Sequence, residues 1–267
     1  MLPSRHFIEL TQPEIAHQLK ASPLVILPAG SVEQHGPHLP TGTDTYASQV
    51  IGHAVAERMN GLLLPGTPFG VTPMHMPFEG TITLTPDTYQ RVVVETCAST
   101  AQHGARQLLI INWHEGNIPS LAIASEALHR EHGMSVLTVQ ACYVAAELYG
   151  HDCGGLTHGG EIEALAVLAC RPDLVHLDRI DYASDASHGR KWDKLRRTRS
   201  YHPVLTDIRT IAPTGWYGAP GHATVDKALR MLDEISDAIA RESTELFILL
   251  DEAQGGTAEI KHLRVAG

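Results

Sequence analysis

The sequence of 267 residues predicts an α/β fold: a single three-layer α/β/α domain over residues 1–267, with helices on both faces of a mostly parallel sheet. Three observations carry this. Short apolar runs bounded by turn residues alternate with stretches of helical periodicity. One run, Arg106 to Asn112, is apolar on both parities, as a strand covered on both faces must be. No internal repeat and no linker rich in Gly, Ser or Pro divides the chain, and 43% hydrophobic residues suffice for one large core.

The elements follow in order. Thr11-Gln-Pro-Glu14 reads as a capping box with Pro near the first helical position, opening a helix to about Lys20. Residues 23 to 29 form a first buried strand, and a helix is expected from Asp44 to Met59. Gly61 to Pro65 is a second strand; Pro86 and Asp87 open a helix to about His103. The strand at Arg106 to Asn112 precedes a tight loop and a helix to about Glu131, and Met134 to Ala141 makes a fourth strand. Glu161 opens a helix ending near Cys170. Thr224 caps a long amphipathic helix whose Val225, Ala228, Leu229, Leu232, Ile235 and Ile239 share one stripe.

Composition narrows the function classes. Thirty acidic against twenty basic residues give a net charge of −10, which argues against binding nucleic acid or an anionic lipid surface. Six of the twenty basic residues fall in Arg190 to Arg199, a block that reads either as a solvated loop or subunit contact, or as an anion site. Cys97, Cys142, Cys153 and Cys170 are far apart with no Cys-x-x-Cys pair, so neither a zinc ribbon nor a disulfide framework is indicated. A reducing, cytoplasmic location fits, with no membrane span.

The chemistry concentrates in three loops. Gly30 to Asp44 places Glu33, His35, His38 and Asp44 on a bend rich in Gly and Pro directly after the first strand. Asn112 to Asn117 carries His114 and Glu115 after the third, and Thr157 to Glu163 carries His158 on a turn and Glu161 at a helix start. In open α/β sheets ligands bind where strands end, and imidazoles mixed with carboxylates suit hard or borderline divalent ions. Each residue also has a plainer role: Asp44 fits a helix N-cap, Glu161 a favourable charge at a helix N-terminus, and His75 and His103 fit ordinary structural positions.

These motifs resemble the creatininase family of metal-dependent amidohydrolases. The resemblance rests on Gly30 to Pro40 with Gly42-Thr-Asp44, on Asn112 to Asn117, on His158-Gly-Gly-Glu161, on Phe78-Glu-Gly-Thr-Ile82 and on Gly218 to Thr224. It implies Glu33 and His114 as ligands of one metal, His35 and Glu161 as ligands of the other, Asp44 as the bridge, and His158 as a proton-transferring residue. True creatinine hydrolases carry an aromatic residue and then a metal-binding Glu where this chain has Glu115 and Gly116. They also cover creatinine with a tryptophan segment, where this chain has Cys153-Gly-Gly-Leu-Thr157. Met74 and Glu79 stand where relatives often have Glu and Pro. The departures argue against creatinine and toward a branch containing a formamide-cleaving enzyme and a peptide-maturing peptidase.

The expected activity is hydrolysis of a C–N bond in a small amide, lactam or formamide. Two divalent ions (Zn, Mn or Fe), roughly 3.5–4 Å apart, would share a water and lower its pKa from near 16 toward about 7. His158 would protonate the leaving nitrogen, Glu115 would act as auxiliary base or substrate contact or else simply face solvent, and N–H groups near Gly116 and Asn117 would receive the oxyanion. Rival readings are a metal-dependent phosphate-ester hydrolase using the Arg190 to Arg199 block, and a non-catalytic metal-binding assembly. The resemblance also implies a homo-oligomer, in rings of six.

Overall fold

The computed structural model describes residues 5–181, 187–196 and 204–253. In chain order these form α1 (Gln12–Ala21), β1 (Leu24–Ala29), α2 (Thr43–Met59), β2 (Leu62–Leu63), α3 (Pro86–Gln102), β3 (Gln107–Asn112), α4 (Ile118–His132), β4 (Ser135–Gln140), α5 (Ala141–Tyr149), α6 (Glu161–Leu168), α7 (Ser187–Arg196) and α8 (Val225–Ala253), linked by 3-10 turns. The four strands are all parallel, in the order β2-β1-β3-β4.

Alternation along the strands builds two cores. Leu24, Ile26, Leu109 and Ile111 point to one face, where α2, α5, α6 and α8 cover them. Val25, Leu27, Leu108 and Ile110 point to the other, beneath α3 and α4. Every residue of β1 and of β3 is buried, which is why both strands read as continuous apolar runs rather than alternating ones.

Local chemistry sets the boundaries. The Glu14 carboxylate accepts from the Thr11 N–H at 2.7 Å, as the capping box requires, and also from the Thr11 hydroxyl at 2.6 Å. The second strand is shorter than the expected Gly61 to Pro65, although the Leu64 N–H still donates to the Ile26 carbonyl at 2.8 Å. Thr224 caps α8 by accepting from the Lys227 N–H at 3.3 Å. Two helices depart from the expectation. β4 passes into α5 without a loop, and residues 190–196 of the basic block are helical, in α7; its residues 197–199 lie outside the described part. The four cysteines are free thiols, three of them buried. Among the described residues no helix is long and apolar enough to cross a membrane.

Candidate metal centre

The register of the sheet gathers the three loops. Ala29 and Asn112 are paired at the C-terminal ends of β1 and β3, so the chains leading to Glu33 and His114 leave adjacent strands at the same level. Asn117 ties the loops together: its Nδ2 donates to the Gly30 carbonyl at 3.0 Å and its Oδ1 accepts from the Val71 N–H at 2.9 Å. Asp44 sits in the first turn of α2, and its Oδ2 accepts from the Ser31 hydroxyl at 2.7 Å.

The decisive geometry is the direction of lone pairs. His35 Nδ1 donates to the Glu33 carbonyl at 3.0 Å, so in the neutral ring Nε2 carries the lone pair. That nitrogen is buried with no hydrogen-bond partner, 3.4 Å from Asp44 Oδ1 and 3.6 Å from Glu163 Oε2. His114 repeats the arrangement with the ring reversed. Its Nε2 donates to the Val71 carbonyl at 3.1 Å, and Nδ1 faces Glu33 Oε2 at 3.3 Å and Asp44 Oδ2 at 3.1 Å. Of three groupings of possible ligands among the described residues, two, Glu33–Asp44–His114 and His35–Asp44–Glu163, share the two oxygens of Asp44, and the third sets His158 beside Glu33 and His35. Inward lone pairs, with each ring's far nitrogen anchored on a carbonyl, suit divalent cations.

Protons are the alternative occupants. Burial pulls the His35 pKa down, but Glu163 and Asp44 outweigh it and raise it to about 10; at His114 burial is likewise outweighed, by Glu33 and Asp44, giving about 9. Burial pushes Asp44 up, yet His35 and His114 hold it well below the usual carboxylate range. Glu163 is raised to about 8, chiefly by burial. Burial, with His35 and His75 nearby, holds the His158 pKa well below that of a free imidazole, so the ring is neutral near pH 7.

The structure brings together Glu33, His35, Asp44 and His114 from the expected ligands, but not Glu161. The Glu161 carboxylate accepts from Lys227 Nζ at 2.7 Å, joining α6 to α8. Glu163, two residues on, faces the cluster instead, with Oε2 also accepting from the Gly159 N–H at 2.6 Å. On a helix, positions two apart point about 200° from each other, so only one of these glutamates can face inward. His158 lies at the edge of the cluster, with Nδ1 3.8 Å from Glu33 Oε1. Glu115 stands apart and accepts from the Tyr143 hydroxyl at 2.6 Å. The Asn117 N–H, expected near an oxyanion, already donates to the His114 carbonyl at 3.2 Å.

Two further histidines sort themselves by contact. His38 is buried away from the cluster; Nε2 donates to the Gly159 carbonyl at 2.8 Å and the ring packs edge-on to Trp216. His75 does join the site, with Nε2 3.6 Å from Glu33 Oε1 and its ring centroid 4.5 Å from that of His158. Its sequence context, between Met74 and Met76 and flanked by prolines, carries no ligand signal of its own. The backbone at Gly116 leaves no room for a side chain. A Cβ there would meet the Val71 carbonyl oxygen at 2.2 Å and His114 Nε2 at 2.5 Å, the very pair that aims His114.

The cluster forms the floor of a cavity of about 490 Å³. Met74, Ile118, Tyr143, Leu205, Ile208 and Tyr217 contribute to its walls, and none of the described lining residues is Lys or Arg.

The chain is similar to several known proteins. A family model described as creatinine amidohydrolase matches residues 8–242. A mycofactocin precursor peptide peptidase of Mycobacterium ulcerans is 32% identical over 232 residues, covering 82% of this chain and 84% of the relative. A creatinine amidohydrolase of Pseudomonas putida is 31% identical over 192 residues, covering 64% of this chain and 74% of the relative. A solved creatinine amidohydrolase structure superposes with a TM-score of 0.72 at 26% identity, over 90% of this chain and 98% of that one. A manganese form of creatininase gives 0.72 at 27% identity, over 90% and 99% of the two chains. With the shared fold and the converging acceptors, these matches establish that the chain belongs to the creatininase family of metal-dependent amidohydrolases.

Proposed function

We propose that this protein hydrolyses a carbon–nitrogen bond with two divalent ions per chain, one held by Glu33, Asp44 and His114, the other by His35, Asp44 and Glu163. The observation that carries the reading is the pair of converging acceptor clusters sharing Asp44. When bound, such ions acidify a water and polarise a carbonyl. The chain's own residues do the rest. His158, neutral and at the edge of the cluster, accepts the proton of the attacking water and passes it to the departing nitrogen. Glu115, fixed by Tyr143 on the cavity wall, serves as a substrate contact rather than as the base.

The cavity supports a substrate with an apolar body attached to the scissile amide or formamide, since about 490 Å³ lies in the range of sites for organic ligands well above the size of a bare lactam. The phosphate-ester reading has less support, because no described lining residue is Lys or Arg and so none can pair a phosphate. A homo-oligomer belongs to this proposal too; Leu246 and Leu249, neighbours on one face of α8, are 48% and 58% exposed, apolar surface that a second chain can cover.

The test is metal analysis of purified protein with a screen of formamides, lactams, amides and a generic phosphate ester, wild type beside Asp44→Asn. Two ions per chain and amide turnover that the variant loses support the reading. Turnover of the phosphate ester alone, or amide turnover unaffected in Asp44→Asn, overturns it.

A further inference from the structure

Between the two metal-facing residues Glu33 and His35 lies Gln34, a buried side chain. Its amide is oriented by the backbone. Oε1 accepts from the Gly36 N–H at 3.1 Å, and Nε2 donates to the Gly215 carbonyl at 2.5 Å. Rotating the amide by 180° would set oxygen against oxygen at Gly215 and N–H against N–H at Gly36, so the orientation is unique.

One N–H remains on Nε2, with two imidazole nitrogens 3.0 Å away: His75 Nδ1 and His158 Nε2. His158 Nε2 is also 2.7 Å from the main-chain carbonyl oxygen of Gln34. Two acceptors at that distance repel, so His158 Nε2 carries a proton and donates to the carbonyl. It therefore cannot accept from the amide, and the remaining N–H goes to His75 Nδ1. The rest is forced by counting. In its neutral form His75 bears its proton on Nε2, the nitrogen facing Glu33 Oε1 at 3.6 Å. Neutral His158 keeps its lone pair on Nδ1, the nitrogen facing the cluster.

We propose that Gln34 is a positioning residue: through one backbone-oriented amide and its own carbonyl it fixes the tautomers of two neighbouring histidines, aiming an N–H of His75 at Glu33 and the lone pair of His158 at the reacting water. The tautomer assignment stands on geometry alone; its catalytic consequence rests on the hydrolase reading above. Two tautomers set by one side chain explain why a polar, non-ligating residue is buried between two ligand positions.

The test uses full-length protein loaded with zinc, labelled with ¹⁵N-histidine, with His75 and His158 assigned by single replacements with Gln. Two-bond proton–nitrogen correlations should show protonated Nε2 and bare Nδ1 in both rings. In Gln34→Glu the carboxylate can only accept, so His75 should move its proton to Nδ1; Gln34→Met, of similar length and with no N–H to give, should release His75 into a mixture. In either variant kcat should fall about 10–100-fold with KM within about twofold and zinc content unchanged, the scale typical of groups that orient first-layer residues. A wild-type His75 protonated on Nδ1, or a tautomer pattern identical in wild type and both variants, overturns the proposal. The spectra need no substrate, so a protein that turns over nothing still tests the tautomers, and active protein with the wrong tautomers sinks only this inference. If a variant fails to fold, the wild-type spectrum alone decides.

Discussion

At the scale of single residues, the division of labour between Glu161 and Glu163 is the sharpest test of the site. Glu163→Gln removes a carboxylate from the His35–Asp44 cluster and should lose about half of the bound metal and at least 100-fold in kcat. Glu161→Gln removes only the partner of Lys227 and should keep metal and activity within a fewfold. Metal content by plasma mass spectrometry and steady-state rates separate the two; equal losses would contradict the assignment. Gly116→Ala makes a different point. Its Cβ intrudes on the contact that aims His114, so metal affinity should fall about 10–100-fold although no ligand has changed. The sequence displays the residue types of the centre plainly, since Glu33, His35 and Asp44 share one bent loop. It does not display helix phase, and so the choice between two glutamates on α6 is invisible until α6 is packed. His75 is hidden for a related reason: it arrives from a loop whose own pattern says nothing of its neighbours, and only the fold of residues 72–82 against the Glu33 loop brings it in.

At the scale of elements, β1 and β3 were legible because burial on both faces leaves unbroken apolar runs. α5 and α7 were not: α5 follows β4 with no turn residue between them, and α7 is so rich in charge that it has no apolar stripe for a periodicity argument to find. The central pair of strands also carries the site, so its packing should be felt there. Ile110 is fully buried beneath α3 and α4, and Ile110→Ala should destabilise the protein by about 2–5 kcal/mol. Denaturant unfolding of the metal-free protein measures this; a loss below about 1 kcal/mol would mean the core of that face closes around the gap.

At the scale of the whole molecule, protons and metal should compete to stabilise the same buried cluster. His35 and His114 have folded pKa values raised from 6.5 to about 10 and about 9, so their protonation stabilises the metal-free fold fully below pH 6.5 and is lost as pH rises through those values. Glu163, raised from 4.5 to about 8, acts in the same direction: the folded state holds its proton longer, and stability falls as pH climbs through that window. In chelator, the melting temperature should therefore decline from about pH 6.5 to pH 9. Metal must displace the same protons, so the increment gained from excess zinc should grow over that interval. Parallel curves with and without zinc would show that metal and proton do not compete. Light scattering on the same samples reads the assembly state; replacing Leu246 and Leu249 with Ser should leave a single chain if this face of α8 forms the subunit contact.

The neighbouring positions of β1 and β3 have a kinetic consequence. Leu24 pairs with Gln107 and Ala29 with Asn112, partners more than 80 residues apart in the chain; the loops carrying Glu33, His35, Asp44 and His114 leave the ends of that pairing, and Glu163 joins them from α6. A nascent or refolding polypeptide can form its helices early and still grip no cation tightly, because the grip exists only after segments far apart in the chain have met. In refolding experiments the capture of added zinc should therefore lag the formation of helix, and the lag would time that late meeting.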